Sequence, residues 1–151
     1  MLNTVHPKTM VEYALESEKK WDDKKLIIWF IQPHVPFIEH PKLCHYDAYK
    51  RVFDIAESDE VSSIITPWKE ADKGNLKIEE AWNAYKRNLE IAVEYAFELA
   101  EKLKGKTVIT SDHGHAFKRL PLSIAFKIVG HPSGVYISEL VKVPWLAFEG
   151  K

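Results

Sequence analysis

The residues of this chain best suited to chemistry are Asp112 and His113, which are followed by Gly114. They come directly after the apolar run Thr107–Thr110, which is typical of a short β-strand. Open α/β sheets bind ligands beyond the carboxyl ends of their strands, so the pair lies where a site is expected. One carboxylate and one imidazole suit Zn²⁺ or Mn²⁺, with Ca²⁺ and Mg²⁺ as alternatives. The pattern therefore predicts a divalent-metal site, in which Gly114 lets the backbone turn sharply.

An isolated Asp-His-Gly tripeptide has a second interpretation. The carboxylate of Asp112 would cap the following turn, and His113 would be an exposed loop residue. The tripeptide alone does not separate the two interpretations. The elements around it and the other histidines of the chain have to be considered.

The first part of the chain is predicted to form a helix, a buried strand and a rigid loop. Residues 7–20 favour a helix, since Pro7 suits its first turn and four residues recur at helical spacing: Met10, Tyr13, Ala14 and Ser17. The apolar run Leu26–Ile31 predicts a strand buried on both faces. In the segment Gln32–Phe37, two prolines stop the strand and fix a loop that contains His34.

The rest of the chain alternates between predicted helices and strands. We expect a short helix at residues 46–56, a loop at 57–76, and a long helix at 78–104 that Gly105 ends. The residues expected on the buried face of the long helix are Ile78, Trp82, Tyr85, Leu89, Ala92, Ala96, Leu99 and Leu103. A last strand is predicted at 144–148. This order predicts an α/β fold with a mixed, mostly parallel sheet flanked by helices.

Composition limits the class of protein. The 151 residues fit one domain, 1–151, and the 46% apolar and 28% charged residues are ordinary for a globular protein. A formal charge of −1 gives no support to nucleic-acid binding. The single cysteine, Cys44, excludes an intrachain disulfide. No apolar run reaches the ~20 residues of a membrane span, and no signal peptide is recognisable, so we expect a cytoplasmic protein without membrane contact.

An ordered series of motifs resembles the alkaline phosphatase superfamily, and within it the sulfatase-like hydrolases and transferases. The most specific element is Ser-Asp-His-Gly after a strand, and the Pro-His-Val-Pro loop supports it. Weaker elements follow the same order along the chain: Ala84-Tyr-Lys-Arg-Asn-Leu89, Gly130-His131 and Leu140-Val-Lys-Val-Pro-Trp145. The resemblance covers the chain from about residue 24 to its end. It implies an alkaline phosphatase-like fold, of which this chain corresponds to the C-terminal half.

The resemblance also implies roles for individual residues. Asp112 and His113 would bind a catalytic metal, and His34 would lie near the ester oxygens or the leaving group. His131 would be a further metal ligand or a substrate contact, unless Gly130, Pro132 and Gly134 merely build a turn around it. The role of His115 stays open, and a contact behind the ligands is favoured over direct ligation.

The resemblance leaves one part of the chemistry unassigned. The family's nucleophile is a Thr, Ser or formylglycine, and no matching segment is recognisable; Cys44 lacks the Cys-X-Pro-X-Arg context of a formylglycine. We therefore expect a hydrolase or transferase of small phosphate or sulfate esters that is incomplete as an isolated chain. Open sheet edges would favour a homo-oligomer or association with a missing N-terminal half. The alternative is a noncatalytic scaffold or oligomerisation domain.

Overall fold

The computed structural model describes residues 4–43, 67–119, 127–131 and 133–150, which form a mixture of helices and short strands. The chain divides into two compact units, Met1–Lys102 and Leu103–Lys151. The long helices lie in the first unit, and all the described strands lie in the second. A single domain spanning residues 1–151 stays a prediction. No helix in the described part of the chain combines the length and the hydropathy needed to cross a membrane.

The first helix, α1, spans Pro7–Lys20 and confirms the prediction. It begins at Pro7 because the His6 imidazole accepts a hydrogen bond from the Lys8 backbone N–H, 3.1 Å away, and so caps an otherwise unpaired donor. The buried residues are Pro7, Val11 and Ala14. The predicted face was wrong at Tyr13, which is 64% exposed. Val11 takes its place because the buried stripe is centred on one side of Ala14 rather than the other.

The long helix, α3, spans Ile78–Lys102 and was also predicted. The chain leaves it through Gly105, whose φ of 70° is a conformation that glycine adopts without steric cost. Its buried residues are mostly small: Ala81, Ala84, Asn88, Ile91, Ala92, Leu99 and Ala100. The predicted face was wrong at Leu89, which is 39% exposed. The alanines lie against neighbouring elements because they allow close approach, and large apolar residues therefore marked the face poorly.

A short helix, α2, spans Pro67–Asp72, where a loop was predicted. Both α1 and α2 pack against α3. The remainder of the predicted loop, residues 57–66, lies outside the described residues. The predicted helix at 46–56 and the thiol of Cys44 lie outside them as well.

The segment Leu26–Ile31 is not the buried strand that its composition predicted. It belongs to no strand, and Ile27 and Trp29 are 94% and 68% exposed. Exposure alternates along the segment, with the more exposed residues at 27, 29 and 31. A strand buried on both faces needs neighbouring strands and covering helices. Among the described residues no strand pairs with this segment, so its apolar side chains lie open to solvent.

The second unit contains two antiparallel strand pairs. β1 (Lys106–Thr110) pairs with β4 (Trp145–Glu149), and β2 (Ala116–Arg119) pairs with β3 (Lys127–Gly130). β1 and β4 confirm two predicted strands, whereas β2 and β3 were not predicted. The mostly parallel sheet is not observed, because every described strand pair is antiparallel. β1 is only half-buried rather than fully buried, since a two-stranded sheet covers little of its own surface.

Candidate metal centre

The candidate metal centre begins where β1 ends. The Thr110 hydroxyl donates a hydrogen bond to the Pro144 carbonyl, 2.8 Å away, which holds the end of β1 to the start of β4. Ser111 follows, and then Asp112 and His113, whose side chains are 55% and 43% exposed. The antiparallel pair thus supplies a fixed base from which two accessible side chains project.

The local hydrogen bonds orient both candidate ligands. Oδ1 of Asp112 accepts the backbone N–H of His113 at 2.9 Å, which fixes the carboxylate. Nδ1 of His113 lies 2.8 Å from the Gly114 carbonyl. A carbonyl can only accept, so Nδ1 carries the proton and the lone pair is on Nε2. A backbone carbonyl behind the ring is a common partner of metal-binding histidines.

The remaining atoms of the pair converge. Nε2 of His113 and Oδ2 of Asp112 are 3.6 Å apart, which is too long for a normal hydrogen bond between them. Two ligands of a tetrahedral Zn²⁺, with bonds of about 2.0–2.2 Å, lie about 3.4 Å apart. The separation of the two atoms therefore fits a shared divalent ion. The donor set, one carboxylate oxygen and one neutral imidazole nitrogen, fits it too.

The turn-capping interpretation of Asp112 describes part of the same geometry. Its Oδ1 does hold the next backbone N–H, as a capping carboxylate would. A carboxylate has two oxygens, however, and Oδ2 is the one that faces the imidazole. The capping bond orients the carboxylate without using the oxygen that would bind metal.

Gly114 is required for a different reason from the predicted sharp turn. It is not among the residues with positive φ. Its N–H donates to the Leu140 carbonyl at 2.8 Å, in the short helix α4 (Ser138–Val141). A Cβ at this position would lie 2.0 Å from the Glu139 carbonyl oxygen. Close packing of two backbone segments, rather than backbone torsion, therefore demands glycine here.

Gly114→Ala should consequently disturb the site. We expect a loss of about 1–3 kcal/mol of stability, because the new methyl forces the loop away from the backbone of α4. Thermal unfolding checks this, with Ser111→Ala as the matched control because Ser111 is exposed on the same loop. Equal unfolding temperatures for the two variants would contradict the close approach of Gly114 to Glu139.

The register of the second strand pair brings two more histidines together. Ala116 is paired with Gly130, so His115 just before β2 and His131 just after β3 meet at the same end. Their ring centroids are 6.3 Å apart, and the His131 ring lies 4.2 Å from the His113 ring. His113, His115 and His131 therefore form one cluster beside Asp112. Among the described residues, no three His, Cys, Asp or Glu side chains form a group that could hold a metal ion.

His34 belongs to the other unit, Met1–Lys102. Its Nδ1 lies 2.8 Å from the carbonyl of Val35, so the proton is on Nδ1 here too. Both proline peptide bonds of the loop, Gln32–Pro33 and Val35–Pro36, are cis. The loop is anchored at its start, where the buried Gln32 side chain donates to the carbonyl of Val5 at 2.9 Å. Sequence reasoning did not identify this anchor.

Sequence reasoning also missed Asn88, a polar residue on the buried face of α3. Its side chain is 1% exposed and contacts the backbone of the His34 loop at two points. Oδ1 accepts the Ile38 N–H at 3.0 Å, and Nδ2 donates to the His34 carbonyl at 3.1 Å. Its spacing of four residues from Ala84 places both on one helical face, which was the available signal.

An ion pair lies at the outer end of the same loop. Arg87 Nε and Nη2 donate to the two carboxylate oxygens of Glu39 at 2.8 and 2.9 Å. Hydrogen bonding to Arg87 lowers the pKa of Glu39, assisted by the charges of Arg87 and His40 and opposed by desolvation. The same contacts, together with Glu90, raise the pKa of Arg87.

Arg87→Met should therefore return the pKa of Glu39 to the ordinary range of a glutamate. Because the folded-state pKa is lowered, the stabilisation by this pair is present above the unfolded pKa and is lost as pH falls through the folded one. NMR titration of the glutamate carboxyl carbons measures the change, and Lys86→Met on the same helix is the control. A Glu39 pKa that is unaltered in Arg87→Met would contradict the assignment.

Searches of protein-family models, of curated proteins and of solved structures find no significant match to this chain. The geometry brings together Asp112, His113 and His131, and adds His115 to them. It places His34 in a separately described unit, where α3 holds its loop. The functional argument therefore depends on the residues themselves.

Proposed function

We propose that Asp112 and His113 bind a divalent metal ion in a hydrolase or transferase of phosphate or sulfate esters. The observation that carries the proposal is the 3.6 Å approach of His113 Nε2 to Asp112 Oδ2. The Gly114 carbonyl supports it by holding the proton on Nδ1, which leaves Nε2 as the donor atom. The motif series that resembles the alkaline phosphatase superfamily supports the class of reaction and the fold.

The other histidines have roles around this pair. His131 lies against the His113 ring and would act as a third ligand or as a contact to the ester. His34 would contact the ester oxygens or carry a proton for the leaving group. A bound Zn²⁺ or Mn²⁺ would offset negative charge on the transferring phosphoryl or sulfuryl group. The nucleophile is not assigned to any residue.

Metal binding is the direct test. Two protein ligands leave coordination positions for water, so we expect an affinity below that of a complete structural zinc site. Protein purified without chelator should contain a divalent ion, and calorimetric titration with Zn²⁺ or Mn²⁺ should show one binding site per chain. A chain that takes up neither ion would refute the proposal.

The second candidate is a noncatalytic scaffold or oligomerisation domain. The exposed apolar side chains of Ile27, Trp29 and Ile31 favour it, since exposed apolar groups in alternation suit pairing with another polypeptide. That polypeptide would be a second copy of the chain or a segment that completes the sheet. A chain that binds no metal but self-associates would favour this candidate over the hydrolase.

A further inference from the structure

Apolar packing holds the His34 loop without setting its direction. Val35 and Phe37 are 6% and 1% exposed and pack with Ala84 of α3. Such contacts depend on buried area and shape, and they tolerate small rotations of the peptide planes between them. They would keep the loop on the helix but leave the peptide of His34 free to turn.

Asn88 supplies the directional contacts that apolar packing lacks. Its carboxamide accepts from the Ile38 N–H at 3.0 Å and donates to the His34 carbonyl at 3.1 Å. The two bonded residues flank the packed segment, so one side chain holds both ends of it. Only an amide offers a donor and an acceptor in this fixed arrangement at this size.

The backbone bond bears directly on the imidazole. The His34 N–H donates to the Ile31 carbonyl at 3.0 Å, so both peptide groups of His34 are hydrogen-bonded. Its ring nitrogen Nδ1 in turn lies 2.8 Å from the next carbonyl, that of Val35. A rotation of the peptide after His34 would move its own carbonyl and change the distance from Nδ1 to Val35.

We propose that Asn88 is a positioning residue, whose buried carboxamide fixes the Pro33–Phe37 loop and thereby the orientation and tautomer of His34. The inference rests on the proposed function, in which His34 contacts the ester. It extends that function by assigning a residue of α3 that never touches substrate. Arg87, beside it, grips Glu39 only from the exposed surface.

The test compares Asn88→Leu with Asn83→Leu, because Asn83 is exposed on the same helix. Long-range ¹H–¹⁵N NMR of imidazole nitrogens reads the His34 tautomer, and hydrogen exchange reads the Ile38 amide. In Asn88→Leu we expect a mixture of tautomers and exchange at Ile38 about tenfold faster or more. Asn83→Leu should match the wild type in both. An unchanged tautomer and unchanged exchange in folded Asn88→Leu would overturn the proposal.

A measurement on the wild-type chain keeps the proposal falsifiable if Asn88→Leu does not fold. Scalar couplings across hydrogen bonds should connect the Asn88 side chain to His34 and to Ile38, and His34 should be a single Nδ1–H tautomer. A freely exchanging Asn88 amide would overturn the proposal. None of these measurements needs metal or substrate. Failure of the metal titration would therefore sink the proposed function alone.

Discussion

Asp112→Ala should abolish measurable zinc binding, with an affinity loss of at least about 100-fold. The substitution removes Oδ2, one of the two converging ligand atoms, and with it a negative charge that attracts the cation. It also removes Oδ1, which holds the His113 N–H, so the imidazole loses part of its orientation. Calorimetric titration of the metal-free protein with Zn²⁺ measures the effect.

Two further variants separate the possible causes of that loss. Asp112→Asn retains an oxygen for the His113 N–H but removes the charge, so binding should still fall steeply. Asp22→Ala removes an exposed carboxylate from the turn after α1 and should bind zinc like the wild type. If Asp112→Ala and Asp22→Ala bound zinc equally well, the pair Asp112–His113 would not be the metal site.

Phe37→Ala should destabilise the chain by about 3–5 kcal/mol. Phe37 is 1% exposed and lies in the cluster with Val35 and Ala84, around which three partly buried side chains pack: Leu43, Trp68 and Tyr85. Burial in this region also raises the pKa of Tyr85. Removing the ring leaves a cavity that the clamped loop cannot collapse to fill. Urea denaturation measures the free energy of unfolding.

Ile27→Ala is the matched control, since it also removes apolar volume from the first unit. Ile27 is 94% exposed, so its truncation should change the unfolding free energy by no more than about 0.5 kcal/mol. Equal destabilisation by the two variants would show that the segment Leu26–Ile31 is buried in solution. It would also restore the buried strand that the sequence predicted.

The candidate site illustrates which features sequence reasoning reaches. Asp112 and His113 are adjacent in the chain and follow a strand, so their types and spacing suffice to predict a metal site. The approach of His131 could not be predicted in this way, because it depends on the pairing of Ala116 with Gly130. Strand pairing between short, weakly patterned segments is set by their surroundings rather than by their composition. Sequence order placed His131 downstream of the site, and register placed it beside His113.

Asn88 and Gly114 show the same division in the opposite direction. Each is visible in the sequence, but the reason for each lies in a distant segment: the His34 loop for Asn88, and the backbone of Glu139 for Gly114. No local pattern distinguishes a buried clamping amide from a solvated one. The glycine was expected for its torsional freedom, and its actual role is to leave room.

The sequence by itself determined the local elements of this protein: α1, α3, β1 and β4, together with the adjacency of Asp112 and His113. These depend on caps, helical periodicity and runs of β-forming residues, which act over a few residues. The tertiary structure decided which faces are buried, how the strands pair and which histidines meet. It left Leu26–Ile31 exposed for the same reason, because apolar residues are buried only where other elements cover them.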